Sequence, residues 1–274
     1  MFILSAMKRA APSRKTECRL TCFGTGDGCP CADRNHAAFL YRLGKTAIQL
    51  DCGEPIDKSY KASGISYDEV DGIIISHLHA DHFGGFFMLM QGFWLEGRRK
   101  PLPVYLPEGG IQPVRQMLHA GFLFDEVLPF PLRFHPLKAA KAISLGEVTV
   151  TPFVTSHLEG TRARFEKKYP VEFQAYCFLL ESDGCRVGHS GDLGKPADLE
   201  PLLAQPLDLL VCELAHFSPE DVFGYLQGRE IKHVVWTHVG RPFRQNLAKT
   251  RPLAARMLPK MKHTFVTDGQ EIVF

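Results

Sequence analysis

Apolar positions along the chain gather into short runs, several of them β-branched, and each run ends in a polar or ionisable residue. T-A-I-Q-L ends at Asp51, G-I-I-I-S at His77, V-T-P-F-V-T-S at His157, L-D-L-L-V-C at Glu213 and H-V-V-W-T at His238. Runs of this length and composition predict buried strands, and strands buried on both faces need helices outside them. Helices are predicted where Ser218-Pro219-Glu220 supplies an N-cap followed by proline at the first helical position, and over N-L-A-K-T-R-P-L-A-A-R-M-L, with a break or kink near Pro252. The stretch F-F-M-L-M-Q-G-F-W-L after Gly85 is apolar nearly all round, so a buried helix is expected, with Phe86, Phe87, Phe93 and Trp94 in the core.

The pattern also has a functional reading. Ligands of open α/β sheets collect beyond the carboxyl ends of strands, and each of these runs delivers its polar residue at that end. Five segments can therefore converge on one site. No repeat, low-complexity stretch or linker marks a boundary. The expected organisation is a loose tail over residues 1–16 and one α/β domain over 17–274.

Composition changes this picture little. With 45% apolar and 23% charged residues the 274-residue chain falls in the ordinary globular range, and a net charge of +2 is too small to name a polyanionic partner. No apolar run approaches the roughly 20 residues needed to cross a bilayer, and the N-terminus lacks the order of a secretory signal. Eight cysteines without either feature point to thiols in a reducing, cytoplasmic setting. Cys18, Cys52, Cys177 and Cys212 lie in apolar runs and are expected in the core, whereas Cys29 and Cys31 sit in a Gly/Pro loop, where C-x-C alone is a weak signal.

The chemistry is concentrated in S-H-L-H-A-D-H, Ser76 to His82. In extended backbone, residues two apart point the same way, so His77 and His79 can face one ion while Asp81 and His82 are turned alongside. Imidazole and carboxylate suit zinc. Such crowding, with further ligands arriving from distant strands, suggests two metals. Buried without a cation the cluster would be costly; metal binding turns it into stability.

These residues resemble the metallo-β-lactamase superfamily, whose ordered motifs match Asp51 in L-D-C-G-E, then His77, His79, Asp81 and His82, His157 in T-S-H, Asp192 in H-S-G-D and His238 in W-T-H. The resemblance implies an αββα four-layer sandwich. It further implies that His77, His79 and His157 hold one divalent ion, that Asp81, His82 and His238 hold a second, and that Asp192 bridges them. Zinc is the expected metal, with manganese or iron as alternatives, and Asp51 is expected to orient a ligand histidine rather than bind metal.

Within the superfamily the chain is similar to the ribonuclease Z branch. The loop F-G-T-G-D-G-C-P-C-A-D-R-N-H-A matches that branch's glycine-rich loop, and Glu213 and His216 match its glutamate and the histidine 22 positions before the last ligand, here 238 minus 216. The departures are a gap of only 34 residues between His157 and Asp192, too short to add the transfer-RNA arm to two strands, and a collapsed E-L-A-H segment.

The expected activity is hydrolysis, with a metal-bridging hydroxide attacking a phosphodiester. Two Zn²⁺ set against Asp81, Asp192 and hydroxide leave a charge of about +1, which favours an anionic small-molecule or nucleic-acid-derived substrate. Asp81 is expected to orient the nucleophile, and His216, held by Glu213, to protonate the leaving oxygen. Hydrolysis of a lactone, thioester or lactam is the alternative, followed by mononuclear-iron oxidation on the same fold. A basic run over Arg162–Lys168 is a candidate phosphate guide, with Arg98, Arg99 and Lys100 a weaker one. His189, His233 and His263 are taken as strand or surface histidines, and a homodimer is compatible with the chain.

Overall fold

The structure, a computed structural model, describes residues 17–274. The tail expected over residues 1–16 lies outside the described residues. In chain order the first half contains β1 (Cys18–Gly24), β2 (Ala38–Leu43), β3 (Thr46–Leu50), α1 (Ile56–Ser63), β4 (Gly72–Ile74), α2 (Ala80–Phe83), α3 (Phe86–Leu95), β5 (Leu102–Pro107), α4 (Ile111–Ala120) and β6 (Leu132–Leu137). The second half contains β7 (Ile143–Leu145), β8 (Val148–Val154), α5 (Glu159–Phe165), β9 (Tyr176–Ser182), β10 (Cys185–His189), β11 (Leu207–Leu214), α6 (Pro219–Leu226), β12 (Ile231–Val239), α7 (Arg241–Arg244), α8 (Leu247–Met257), β13 (Lys262–Phe265) and β14 (Gln270–Val273).

The strands form two seven-stranded mixed sheets, ordered β14-β1-β2-β3-β4-β5-β6 and β13-β12-β11-β10-β9-β8-β7. Side-chain alternation explains why they stack. Along β2, Phe39, Tyr41 and Leu43 point into the space between the sheets, where they meet Phe178, Val187, Val211 and Val235, while Ala38 and Leu40 face outward. The outward face of the first sheet is covered by Tyr60 of α1 and by Phe86, Leu89 and Phe93 of α3. Val222 and Phe223 of α6 and Ala254 of α8 cover the second, over Cys212 and Trp236. Each fully buried Leu, Val or Phe of these three cores contributes about 1.5 to 3 kcal/mol. The result is the four-layer αββα sandwich. In both sheets a parallel half, β3-β4-β5-β6 and β10-β11-β12-β13, presents its carboxyl ends together.

Two expected helices differ in detail. α3 is not buried all round: Met88 and Leu95 are exposed, and Phe87 and Trp94 are half-buried at the margin of the core, because a helix laid on a sheet buries only the side it sets down. α8 runs through Pro252 rather than breaking there, with that proline on its exposed side. Between His157 and Asp192 the chain holds α5 and the hairpin β9–β10, with no room left for an arm.

Candidate metal centre

Local backbone devices aim the ligands. Beyond β4, His79 keeps an extended conformation (φ −65°, ψ 146°) and N-caps the single turn of α2, which turns Asp81 and His82 in beside His77 and His79. Asp192 follows Gly191, whose φ of 52° suits glycine, and a Cβ there would lie 2.6 Å from the Tyr176 carbonyl oxygen. His238 is bulged out of the β11–β12 ladder. Glu213 pairs with Thr237 and Leu214 with Val239, leaving His238 unpaired at φ 48° and turned toward the site. Its N–H is accepted by the Thr25 carbonyl at 3.0 Å, so the glycine-rich loop after β1 holds this ligand's backbone. That loop is in turn tied to Asp268, which accepts from the Thr25 and Asn35 N–H groups.

The seven predicted ligands come together as two groups that share Asp192. In the first, Asp192 Oδ2 lies 3.7 Å from His77 Nε2 and 3.5 Å from His157 Nε2, and His157 Nε2 is 3.2 Å from His79 Nδ1. In the second, Asp192 Oδ1 lies 3.1 Å from His82 Nε2 and 3.5 Å from His238 Nε2, while Asp81 Oδ2 is 3.4 and 3.7 Å from the same two nitrogens. A tetrahedron with donors about 2.1 Å from its centre has edges of about 3.4 Å. The separations above, 3.1 to 3.7 Å, straddle that edge, and all the donors of each group lie within 4.8 Å of one another.

Whether the residues fit a cation can be judged from their unmet valences. His77 Nε2 is buried with no hydrogen-bond partner, and His82 Nε2 and Asp192 Oδ1, an ion-pair distance of 3.1 Å apart, have no partner beyond each other. Leaving such atoms unsatisfied is expensive, and a divalent ion at each group would satisfy all of them. The electrostatics agree. Burial, reinforced by the neighbouring imidazoles, holds His77 well below its ordinary pKa and lowers His157 to about 4, so both are neutral electron-pair donors at neutral pH. Burial opposes ionisation of Asp192, but His238 and His82 outweigh it and keep the carboxyl well below the usual range. Burial likewise opposes charge on His82, yet Asp192 and Asp51 hold it well above the ordinary value.

Asp51 touches His82, one of the candidate ligands, on the ring nitrogen turned away from Asp192. Its Oδ2 is 2.7 Å from His82 Nδ1, and it accepts from Ser76 N at 2.7 Å and Ser76 Oγ at 2.8 Å.

Glu213 and His216 form a pair beside the first group. His216 Nδ1 lies 2.8 Å from both Glu213 oxygens, and His216 Nε2 is 3.8 Å from Asp192 Oδ2. Burial works against the charged imidazole, but the Glu213 hydrogen bond and charge, then Asp192, push His216 up to about 9. Glu213 also accepts from Leu193, Ala215 and His216 N–H, so its oxygens are committed to the protein, and the helix that follows is capped by Ser218 instead.

The weaker candidates sort differently. Arg98 is 1% exposed; its guanidinium donates to the Tyr67, Val70 and Pro101 carbonyls, and it cannot meet a polyanion. The residues from Arg162 to Lys168 are exposed on and just beyond α5, with Arg162 paired to Glu166. Cys29 is exposed and the Cys31 sulfur receives Arg244 Nη1 at 2.8 Å; neither joins a ligand group among the described residues. His189 is a buried strand residue 2.8 Å from the Tyr41 hydroxyl. The sequence reading missed Ser76, whose hydroxyl lies 3.1 Å from His77 Nδ1 and 3.4 Å from His82 Nδ1, and Asp198, which touches Ser156, Gly194 and Lys195 beside the candidate ligands; the repeated Ser-His dipeptide at 76–77 and 156–157 was the available signal.

A four-layer sandwich with a histidine and aspartate cluster across its strand ends defines a metallo-β-lactamase-fold protein. The sequence matches the family described as beta-lactamase superfamily domain over residues 50–265, and the chain belongs to that superfamily. Ribonuclease Z of Bradyrhizobium sp. (strain ORS 278) is 33% identical over 148 residues, 54% of this chain and 49% of that protein. Ribonuclease Z of Bradyrhizobium diazoefficiens is 28% identical over 209 residues, 76% of this chain and 66% of its own length. The chain thus spans about half the length of the first of these curated relatives. Among solved structures, the metallo-beta-lactamase fold protein YhfI from Bacillus subtilis aligns with a TM-score of 0.74 at 17% identity, covering 94% of this chain and 100% of that one. The short form of human tRNase Z aligns at 0.69 and 19%, covering 93% and 98%. Both share the fold.

No helix among the described residues is long and apolar enough to cross a membrane.

Proposed function

We propose that the chain is a binuclear metal-dependent hydrolase, a phosphodiesterase of the ribonuclease Z-like type. His77, His79, His157 and Asp192 would hold one divalent ion and Asp81, His82, His238 and Asp192 the other, zinc being the metal that imidazole and carboxylate in tetrahedra suit best. Such a pair supplies an activated water at neutral pH and Lewis acidity toward a phosphoryl oxygen. The chain's own groups do the rest. Asp81 orients the attacking water. His216 presents Nε2 as a proton donor to the leaving oxygen, and Glu213 fixes the ring by accepting from Nδ1.

The observation that carries the reading is this last pair. A thiolate leaving a thioester needs no proton, whereas an alkoxide leaving a phosphodiester needs a general acid. His216, protonated at neutral pH and placed 3.8 Å from the shared aspartate, supplies one. The likeness to proteins named ribonuclease Z supports the same choice. With no room for a transfer-RNA arm, the substrate is an anionic phosphodiester, drawn either from small molecules or from nucleic-acid ends. The test is a panel of bis-p-nitrophenyl phosphate, cyclic nucleotides, a lactone and a thioester on zinc- and manganese-loaded protein. Cleavage of a phosphodiester is expected; turnover of the lactone or thioester alone would overturn the proposal, and one iron per chain on metal analysis would overturn the binuclear site.

A further inference from the structure

The two halves of the sandwich reach the centre through the same dipeptide. Ser76-His77 follows β4 and Ser156-His157 follows β8. In the first half the serine N–H and hydroxyl both donate to one carboxylate, Asp51, at 2.7 and 2.8 Å. In the second half the Ser156 N–H and hydroxyl both donate to Asp198, at 2.9 and 2.8 Å. Asp198 is 9% exposed and lies just past β10, in the turn Pro196–Leu199.

Asp198 does more than repeat the clamp. Its Oδ2 also accepts from Gly194 N at 2.9 Å and Lys195 N at 3.3 Å, immediately beyond Asp192. The two loops are otherwise in direct contact: Thr155 Oγ1 donates to the Asp192 carbonyl at 2.8 Å, and a Cβ on Gly194 would fall 2.4 Å from Ser156 Oγ. One carboxylate thus gathers four donors from the loop that carries His157 and the loop that carries Asp192. We propose that Asp198 is a positioning residue that sets His157 against Asp192, the counterpart in the second half of Asp51 in the first. This rests on the metal reading given above.

Unlike Asp51, Asp198 touches no imidazole, so it acts only through backbone and serine donors. An asparagine can still accept from Ser156 N and Gly194 N while its amide donates to the Ser156 hydroxyl. Asp198→Asn should therefore rescue what Asp198→Ala loses.

The test titrates cobalt(II) into metal-free protein, reading the visible absorption of each site and its affinity by competition. Asp198→Ala is expected to weaken the His77-His79-His157 site about 10- to 100-fold and the other site by less than about threefold, with Asp198→Asn close to the parent. Ser156→Ala, which removes only the hydroxyl, should weaken the same site severalfold. Equal weakening of both sites, unchanged affinities in a folded Asp198→Ala, or an asparagine variant no better than the alanine would overturn the proposal. Should Asp198→Ala not fold, Ser156→Ala decides, and no selective loss there would count against it. A parent chain that takes up no cobalt overturns the metal reading, and this inference with it; a parent that fills both sites keeps that reading standing whatever the variants do.

Discussion

Replacing Asp51 by asparagine isolates a tautomer. Asp51 has φ 57° and is fully buried, so alanine would combine backbone strain with three lost acceptor contacts; asparagine tolerates the left-handed region and keeps the volume. The carboxylate receives Ser76 N on Oδ1 and both Ser76 Oγ and His82 Nδ1 on Oδ2. An amide cannot satisfy all three. With its oxygen toward Ser76 N, its NH₂ faces His82 Nδ1. The ring must then carry its proton on Nε2, the atom that lies 3.1 Å from Asp192 Oδ1 and would bind metal. With its oxygen toward His82, the NH₂ meets the Ser76 N–H, and a buried donor goes unmet at about 1 to 3 kcal/mol. The first arrangement costs about 10- to 100-fold in affinity, or about 1.4 to 2.7 kcal/mol. The assay pairs competitive zinc titration with urea unfolding of the metal-free protein. Because Asp51 also helps keep a proton on metal-free His82, titrations are repeated at alkaline pH, where proton competition fades and the tautomer effect persists. Affinity at the His82 site within about threefold of the parent, together with metal-free stability within about 0.5 kcal/mol, would refute the reasoning.

Three further outcomes follow from the same geometry. His216→Ala should slow phosphodiesters with alkoxide leaving groups about 10²- to 10⁴-fold, and p-nitrophenyl esters far less, since p-nitrophenolate needs no proton; equal losses in steady-state kinetics would remove the acid role. Glu213→Gln takes away the charge that raises His216 to about 9. An acid works only while protonated, so the alkaline limb of the rate profile should move to lower pH; an unmoved limb would assign it to another group. His189, lowered to about 3 mainly by burial, is neutral in the folded chain while its unfolded counterpart titrates near 6.5. As pH falls through 6.5 the unfolded state alone takes up this proton, so stability drops until the folded residue titrates near 3, by on the order of 5 kcal/mol. Chemical denaturation of metal-free protein against its His189→Gln variant reads the difference, and parallel pH curves would contradict it.

What the sequence disclosed and what it hid divide along a physical line. That seven side chains gather could be read because imidazole and carboxylate at strand ends are costly unless put to use, and because the order of strands dictates which ends meet. His238 announced itself as a candidate ligand but not its geometry: the bulge that turns it inward depends on pairing with β11 and on the Thr25 carbonyl, contacts made at long range. Asp198 was invisible for a related reason. It binds nothing of chemical interest in its own segment and serves by accepting backbone N–H groups from two loops, a role any short-range pattern would assign to a turn. Arg98 misled in the opposite direction, since a basic triplet suggests an exposed patch, whereas a guanidinium's five donors also suit it to close over four carbonyls.

The arrangement of ligands also explains why the site lies where the sheets meet. His77, His79, Asp81 and His82 come from the first half of the chain, and His157, Asp192 and His238 from the second. Neither group of donors is complete within one half, because each uses a histidine and the shared aspartate of the second half against residues of the first. Tyr41 and Ile74 of the first sheet and Phe178 and Val211 of the second share one apolar cluster between the sheets. Packing can therefore hold the donor atoms near 3.5 Å apart before a cation arrives. Metal affinity at this centre is then a property of the whole sandwich, and a change in its inter-sheet core alters the centre without touching a ligand.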